Sequence, residues 1–418
     1  MTRFAMKTPL SNRKAVIIAI AACVLISFLR WPELLLDAQF WGEDGWYWWP
    51  EARTFGSGSL LLPHTGYFQT DARMVALLAS PFPLSRGPTL FALAALVFEV
   101  MPAAFLISGR CASLCPSLPL RIFIGFLWCA MPNTWEVHGN LTNSQWHLAV
   151  LSLLILISAT PSTKAGLAFD TVMLSLGCVS GPFCIFLAPV SAILAWRHPS
   201  RTRLARLAIV MAGALIQISA LSMGARGAMP SLGATPISFI RLMAGQVFLA
   251  PLVGHRHLPQ WYATGPWRSG LLPWIAALTG FWLCIDAARR WPVIRLAGLF
   301  TLLTLCASLS HPVPGDDGSP VWVSMRNLDS NMRYLFLPLV FWMTVLAVTT
   351  FAAPRGWAKG VATGALLVSL FSGIPRDWRF PAVPDRHFYD IAREYDKAPP
   401  GTRFIIPVRP GRQAVYIK

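Results

Sequence analysis

Two adjacent carboxylates, Glu43 and Asp44, sit inside the run Phe40-Trp41-Gly42-Glu43-Asp44-Gly45-Trp46-Tyr47-Trp48-Trp49. Two acids among six large aromatics suit a general base: where bulk water is partly excluded, a carboxylate's pKa rises toward a useful range. The competing reading is an aromatic belt at a membrane–water boundary with solvated acids. Further along, His64-Thr65-Gly66-Tyr67-Phe68-Gln69-Thr70-Asp71-Ala72-Arg73 offers a hydroxyl, an amide and a guanidinium. The planar fork of Arg73 matches a phosphate; alternatively it pairs Asp71 or snorkels to headgroups. A second polar cluster runs from Trp135 to His147 and includes Asn140, Asn143, Gln145 and Trp146. Neutral amides beside aromatic faces suit a sugar, whose hydroxyls need directional partners and whose CH face needs an apolar surface. Asn140-Leu141-Thr142 is also a glycosylation sequon, with meaning only in a eukaryotic secretory host. His138, His147 and Glu136 match no strong metal-ligand spacing. A third group, Arg326, Asn327, Asp329, Asn331, Arg333 and Tyr334, precedes or opens an apolar run, where arginines would hold a phosphate or merely anchor a helix.

These residues need a scaffold, and composition says which kind. Of 418 residues, 55% are hydrophobic and 13% charged, with a mean hydropathy of +0.53. Soluble domains carry about 25% charged residues, so a water-soluble globular enzyme is excluded. The expected fold class is an all-α polytopic membrane protein with eleven spans. They lie at about 15–31, 88–108, 121–133, 146–160, 166–180, 183–196, 204–223, 270–287, 293–310, 334–353 and 358–373. The first is read as an uncleaved anchor, because Arg30-Trp31-Pro32 follows it and no small-residue cleavage site does. The chain divides into a transmembrane domain, 1–373, and a small extracytoplasmic tail, 374–418, with Phe404-Ile405-Ile406-Pro407-Val408 as a strand. External loops cover 32–87 and 224–269, and Ile237–Val253 within the second is expected to be re-entrant or surface-lying.

Charge sets the orientation. With the N-terminus inside, the cytoplasmic segments hold sixteen Lys and Arg, from Arg3, Lys7, Arg13 and Lys14 onward, and no Asp or Glu. The net charge of +17 therefore reports membrane orientation, and no nucleic-acid partner is expected. Glu99, Asp170 and Asp286 fall within or at the edge of spans. Most cysteines lie in apolar runs and read as small hydrophobes; Cys111 and Cys115 in a basic turn have no neighbouring His or Cys pair to suggest zinc. There is no Walker loop, dinucleotide fingerprint, Gly-x-Ser-x-Gly elbow or HExxH. The short cytoplasmic turns leave nowhere to bind a nucleotide.

Together, the inside N-terminus, the large first external loop bearing Glu43-Asp44, and the segments Gly66–Arg73, Asn143–Trp146, Ser180-Gly181-Pro182-Phe183 and Met332-Arg333-Tyr334 resemble the glycosyltransferase C superfamily, in particular bacterial members. The resemblance implies a multi-pass enzyme of the bacterial plasma membrane, with its C-terminus extracytoplasmic. It would transfer a sugar from a polyprenyl-phosphate carrier to a glycan or lipid acceptor in cell-envelope polysaccharide synthesis. Asp44, or in second place Glu43, would be the base of an inverting displacement. Arg73 and Arg333 would neutralise the departing phosphate. Trp46, His64, Tyr67, Gln69, Asn140, Asn143, Gln145, Trp146 and Tyr334 would line the substrate site, with membrane lipid around the prenyl chain. No cofactor is expected, and a divalent metal is left open. Two other readings are a transporter or flippase of a lipid-linked saccharide and a non-catalytic subunit of an envelope-polymer machine.

Overall fold

Helices occupy all eleven stretches read as spans. The computed structural model describes residues 10–224, 231–313, 318–326, 331–382 and 384–418, so the expectations for Arg3, Lys7, Asn327 and Asp329 lie outside the described residues. We label the main helices in chain order: α1 (Leu10–Arg30), α2 (Thr70–Ala79), α3 (Gly87–Ile107), α4 (Leu118–Ala130), α5 (Ser144–Ile157), α6 (Lys164–Cys178), α7 (Phe183–Arg197), α8 (Arg201–Met223), α9 (Pro236–Val253), α10 (Leu271–Arg290), α11 (Pro292–Ser310), α12 (Phe336–Ala352), α13 (Trp357–Val368) and α14 (Phe388–Lys397). Several starts are written locally. The side chains of Ser117, Thr163, Ser200 and Thr235 accept hydrogen bonds from the first-turn amides of α4, α6, α8 and α9, which satisfies donors that have no partner within the helix.

By length and composition, seven stretches among the described residues suffice to cross a membrane: Leu84–Ile107, Arg201–Met223, Pro236–Val253, Leu271–Arg290, Pro292–Ser310, Met332–Ala352 and Trp357–Arg376. Three apolar helices, α4, α5 and α7, are shorter; at 1.5 Å per residue they fall below a hydrocarbon thickness of about 30 Å. Within the second external loop the apolar segment expected at Ile237–Val253 is a continuous helix, Pro236–Val253, with a π-helical middle. Its ends and centre are tied to named neighbours. Val321 N–H donates to the Ser231 carbonyl just before it, Gln246 bonds Asn133 and the Arg326 carbonyl, and Arg376 donates to the Val253 carbonyl.

The bundle has an inside and an outside. In α5 every residue from Ser144 to Leu156 is buried, whereas only about a third of α8, α10 and α11 is. The outer faces of these peripheral helices present Leu215, Ile218, Leu278, Ile285 and Leu302, a surface suited to lipid and not to water. At one end of the bundle Asp170 of α6 binds both Arg110, in the turn between α3 and α4, and Arg206, at the start of α8. These two basic turns, assigned to one side by charge, therefore meet.

The helix that includes α13 continues through a π turn to Arg376, and the tail follows it. It then forms α14 and an antiparallel hairpin, β1 (Arg403–Val408) with β2 (Arg412–Ile417), in which Arg403 faces Ile417 and Val408 faces Arg412. The expected strand is thus the first strand of a hairpin. The tail packs on the first loop. Arg409 exchanges backbone hydrogen bonds with Phe40 and Gly42, the Tyr416 hydroxyl donates to the Gly45 carbonyl, and Asp396 accepts from Leu84 and Ser85. A hairpin alone is marginally stable in water, and this one is held by the loop it supports.

Candidate functional site

The two carboxylates have opposite environments. Asp44 opens a π turn (Asp44–Trp48) and is 2% exposed. Its Oδ1 accepts from the Thr142 amide at 2.9 Å and the Thr142 hydroxyl at 2.8 Å, and its Oδ2 from the Leu141 amide at 3.3 Å. Burial pushes its pKa up to about 8, with Glu43 adding repulsion and the bonds to Thr142 and Leu141 working the other way. Asp44 thus clamps the first loop onto the 133–143 loop and offers no free face to a solute. Glu43, one residue earlier, is half-buried, and its charge is felt by both His64 and Arg333. Of the two carboxylates, the less buried, whose charge reaches those two groups, is therefore Glu43.

Around Glu43 gather residues from three parts of the chain. His64 packs against the rings of Tyr47 at 4.3 Å and Trp48 at 5.1 Å; burial lowers its pKa, which keeps the imidazole neutral at pH 7. The tight turn Thr65-Gly66, both with positive φ, brings Tyr67 back under His64. The Tyr67 hydroxyl lies beside Thr65 and Gln145 and within the field of Arg333 and Tyr334; burial, the largest influence, raises its pKa. Arg333 is 24% exposed. Its guanidinium pairs with Glu136, and its backbone N–H donates to the other Glu136 oxygen at 3.0 Å. It also packs over the Tyr334 ring at 4.8 Å. Trp146 closes the back, edge-on to Phe183 at 4.7 Å and to Tyr334 at 6.0 Å.

Other expected ligands are turned to structural work. Arg73 is 1% exposed, pairs with Glu51 at 2.5 Å and lies over Trp48 at 4.6 Å; it is neither open to a phosphate nor paired with Asp71. Asp71 accepts from Ser144 at 2.6 Å, and burial raises its pKa. Asn140 and Asn143 spend their amides on the Glu136 and His138 carbonyls and on each other. They shape the loop and are closed to a sugar, and Asn140, 2% exposed, is equally closed to glycosylation. Gln69 is buried and bridges Ser180, joining the first loop to the α6–α7 turn. Trp46 faces the tail, beneath Arg412. Gln145 stays at the edge of the cluster, beside Tyr67 and against Gly181.

No three His, Cys, Asp or Glu among the described residues stand together as metal ligands. The trio named from sequence is split: His138 pairs with Glu99 at 2.8 Å, His147 bonds the Val137 carbonyl at 3.0 Å, and Glu136 holds Arg333. Sequence reasoning missed Tyr47 as a wall, Glu51 as the partner of Arg73, and Glu136 as the partner of Arg333. Only Tyr47 carried a local signal, its place in the aromatic run. The Glu136–Arg333 pair joins residues 197 apart and has no signature in spacing. Comparison of the chain with protein-family models, with curated proteins and with solved structures returns no match.

Proposed function

We propose that this chain is a membrane glycosyltransferase that moves a sugar from a polyprenyl-phosphate donor to a glycan or lipid acceptor on the extracytoplasmic side of a bacterial plasma membrane. The basic turns joined by Asp170 face the cytoplasm, α9 is re-entrant, and the first loop and tail lie outside. The reading is carried by His64 paired with Tyr67 and by Arg333 stacked on Tyr334 beside Trp146 at the mouth of α12, with the charge of Glu43 reaching both His64 and Arg333. A carboxylate, a guanidinium and half-buried aromatic faces lie where an apolar bundle ends, and a sugar–phosphate on a hydrocarbon anchor presents the matching groups.

Glu43, in place of Asp44, acts as the base. It takes the proton of the acceptor hydroxyl as that oxygen bonds to the anomeric carbon; the carbon–oxygen bond to phosphate breaks, and its electron pair leaves with the polyprenyl phosphate. One displacement inverts the centre. Arg333, fixed by Glu136, stabilises the departing phosphate, because a preorganised positive charge needs no reorganisation as the anion forms. Tyr47, which is 39% exposed, Tyr67 and neutral His64 supply apolar faces and hydrogen bonds for the sugar.

The test is transfer by purified, bilayer-reconstituted protein from a panel of lipid-linked sugars, with wild type, Glu43→Gln and Asp44→Asn side by side. Wild type should transfer, Glu43→Gln should lose on the order of 100-fold or more, and Asp44→Asn should remain active. Full activity in Glu43→Gln would remove Glu43 from the chemistry. Turnover of a soluble nucleotide sugar without any lipid donor would overturn the whole reading.

A further inference from the structure

Along α12, from Leu337 near the Arg333 end to Ala352 at the other, lies a cavity of about 430 Å³, partly open and lined almost entirely by hydrocarbon. Its walls include Ile124 and Trp128 of α4, Leu154 of α5, Ile294 of α11, and Val340 and Phe341 of α12. The volume lies in the range of small-molecule sites, about 300–1,000 Å³. Its polar edge is already closed: Trp128 Nε1 donates to Thr344 Oγ1 at 3.0 Å, and that hydroxyl donates to the Val340 carbonyl at 2.7 Å. Water would find few partners there; a hydrocarbon chain meets only apolar walls.

The mouth identifies the owner of that chain. Leu114, Cys115 and Pro116, then Trp291 and Pro292, then Ala352 border the cavity, so the α3–α4, α10–α11 and α12–α13 turns meet around it. These turns and their flanks carry Arg110, Arg121, Arg289, Arg290, Arg295, Arg355 and Lys359. Arg110 is committed to Asp170, Arg121 to the Cys115 carbonyl and Lys359 to the Ala353 carbonyl. The nearby acid Asp286 is already paired with Arg290 at 2.6 Å. Arg289 and Arg355 remain exposed, and so does Arg295, although its guanidinium donates to the Ala288 carbonyl at 3.1 Å. A basic rim over an apolar slot between membrane helices matches an anionic headgroup above its own tail.

We propose that this cavity is a binding site for an anionic membrane phospholipid, with one acyl chain in the slot and the phosphate on Arg289, Arg295 and Arg355. The site is independent of the transferase reading, because none of its lining or rim residues belongs to that site. A chain seated there joins α4, α5, α11 and α12 and replaces packing that side chains leave open.

The experiment is native mass spectrometry of the full-length protein in detergent, titrated with phosphatidylglycerol or with phosphatidylcholine of the same chains. Wild type should retain one phosphatidylglycerol, about tenfold in preference to phosphatidylcholine. Ala297→Trp, which fills the slot, should lose it. The triple variant Arg289→Gln, Arg295→Gln, Arg355→Gln, altered only at exposed positions, should fold normally and lose the preference between the two lipids. Equal retention of both lipids by wild type, retention of phosphatidylglycerol by the triple variant at the wild-type level, or no retained lipid would overturn the proposal.

Discussion

Replacing Asp44 by Asn makes the neutral form of this side chain permanent, and its effect on stability follows from the structure. The carboxyl moves from an ordinary pKa of 3.8 to about 8 in the folded state. A folded-state pKa above the unfolded one means that the native protein holds the proton more tightly. The stabilisation is complete below pH 3.8 and is lost as pH rises through 8. At about 1.4 kcal/mol per pKa unit, a shift of about four units amounts to roughly 6 kcal/mol across that window. Between pH 5 and 7 the wild type should therefore lose on the order of 3 kcal/mol through this one group. Other titrating residues are common to both proteins and cancel in the difference. Asp44→Asn keeps an oxygen for the Thr142 amide and hydroxyl and gives up the long bond from Leu141, a loss of about 1 kcal/mol that does not vary with pH. Denaturant unfolding in detergent micelles, followed by tryptophan fluorescence from pH 5 to 9, measures the difference. Wild type minus variant should fall by about 1.4 kcal/mol per pH unit and level off above pH 8. Parallel curves would refute the argument, since Asp44 would then be ionised or wet in the native protein.

Three further outcomes test the framework around the site. Asp170→Asn leaves Arg110 and Arg206 buried or half-buried without their shared carboxylate and should cost about 3 kcal/mol in the same unfolding assay. Arg333→Gln strands buried Glu136 and should cost about 2 kcal/mol, with Glu136→Gln in the same chain restoring most of the stability and none of the proposed transfer. Gly181→Ala places a Cβ 2.1 Å from Gln145 Oε1 at a φ of +85°, so the melting temperature should drop by several degrees, corresponding to 1–2 kcal/mol or more.

What could be read in advance divides along a physical line. Hydropathy is a local sum, so eleven helices appeared where the apolar runs stood, and Ser117, Thr163 and Ser200 began theirs through contacts three residues away. Charge asymmetry between successive turns is also written along the chain, and Asp170 confirms that two of those turns share an end. The aromatic-rich carboxylate run marks Glu43 and Asp44 through composition alone.

Tertiary structure decided what each polar group was for. Arg73 and Arg333 are the same residue type in similar settings, yet Glu51 buries one and Glu136 leaves the other partly open. Asp44 and Glu43 are neighbours, and only the approach of Leu141 and Thr142, nearly a hundred residues on, separates a clamp from an open carboxylate. Asn140 and Asn143 had the chemistry of a sugar site and were used to close their own loop. An apolar residue has one response to a membrane, burial in protein or in lipid, so its position is legible from sequence. A buried polar residue must be satisfied by whichever partner the fold brings to it, and that partner is chosen in three dimensions.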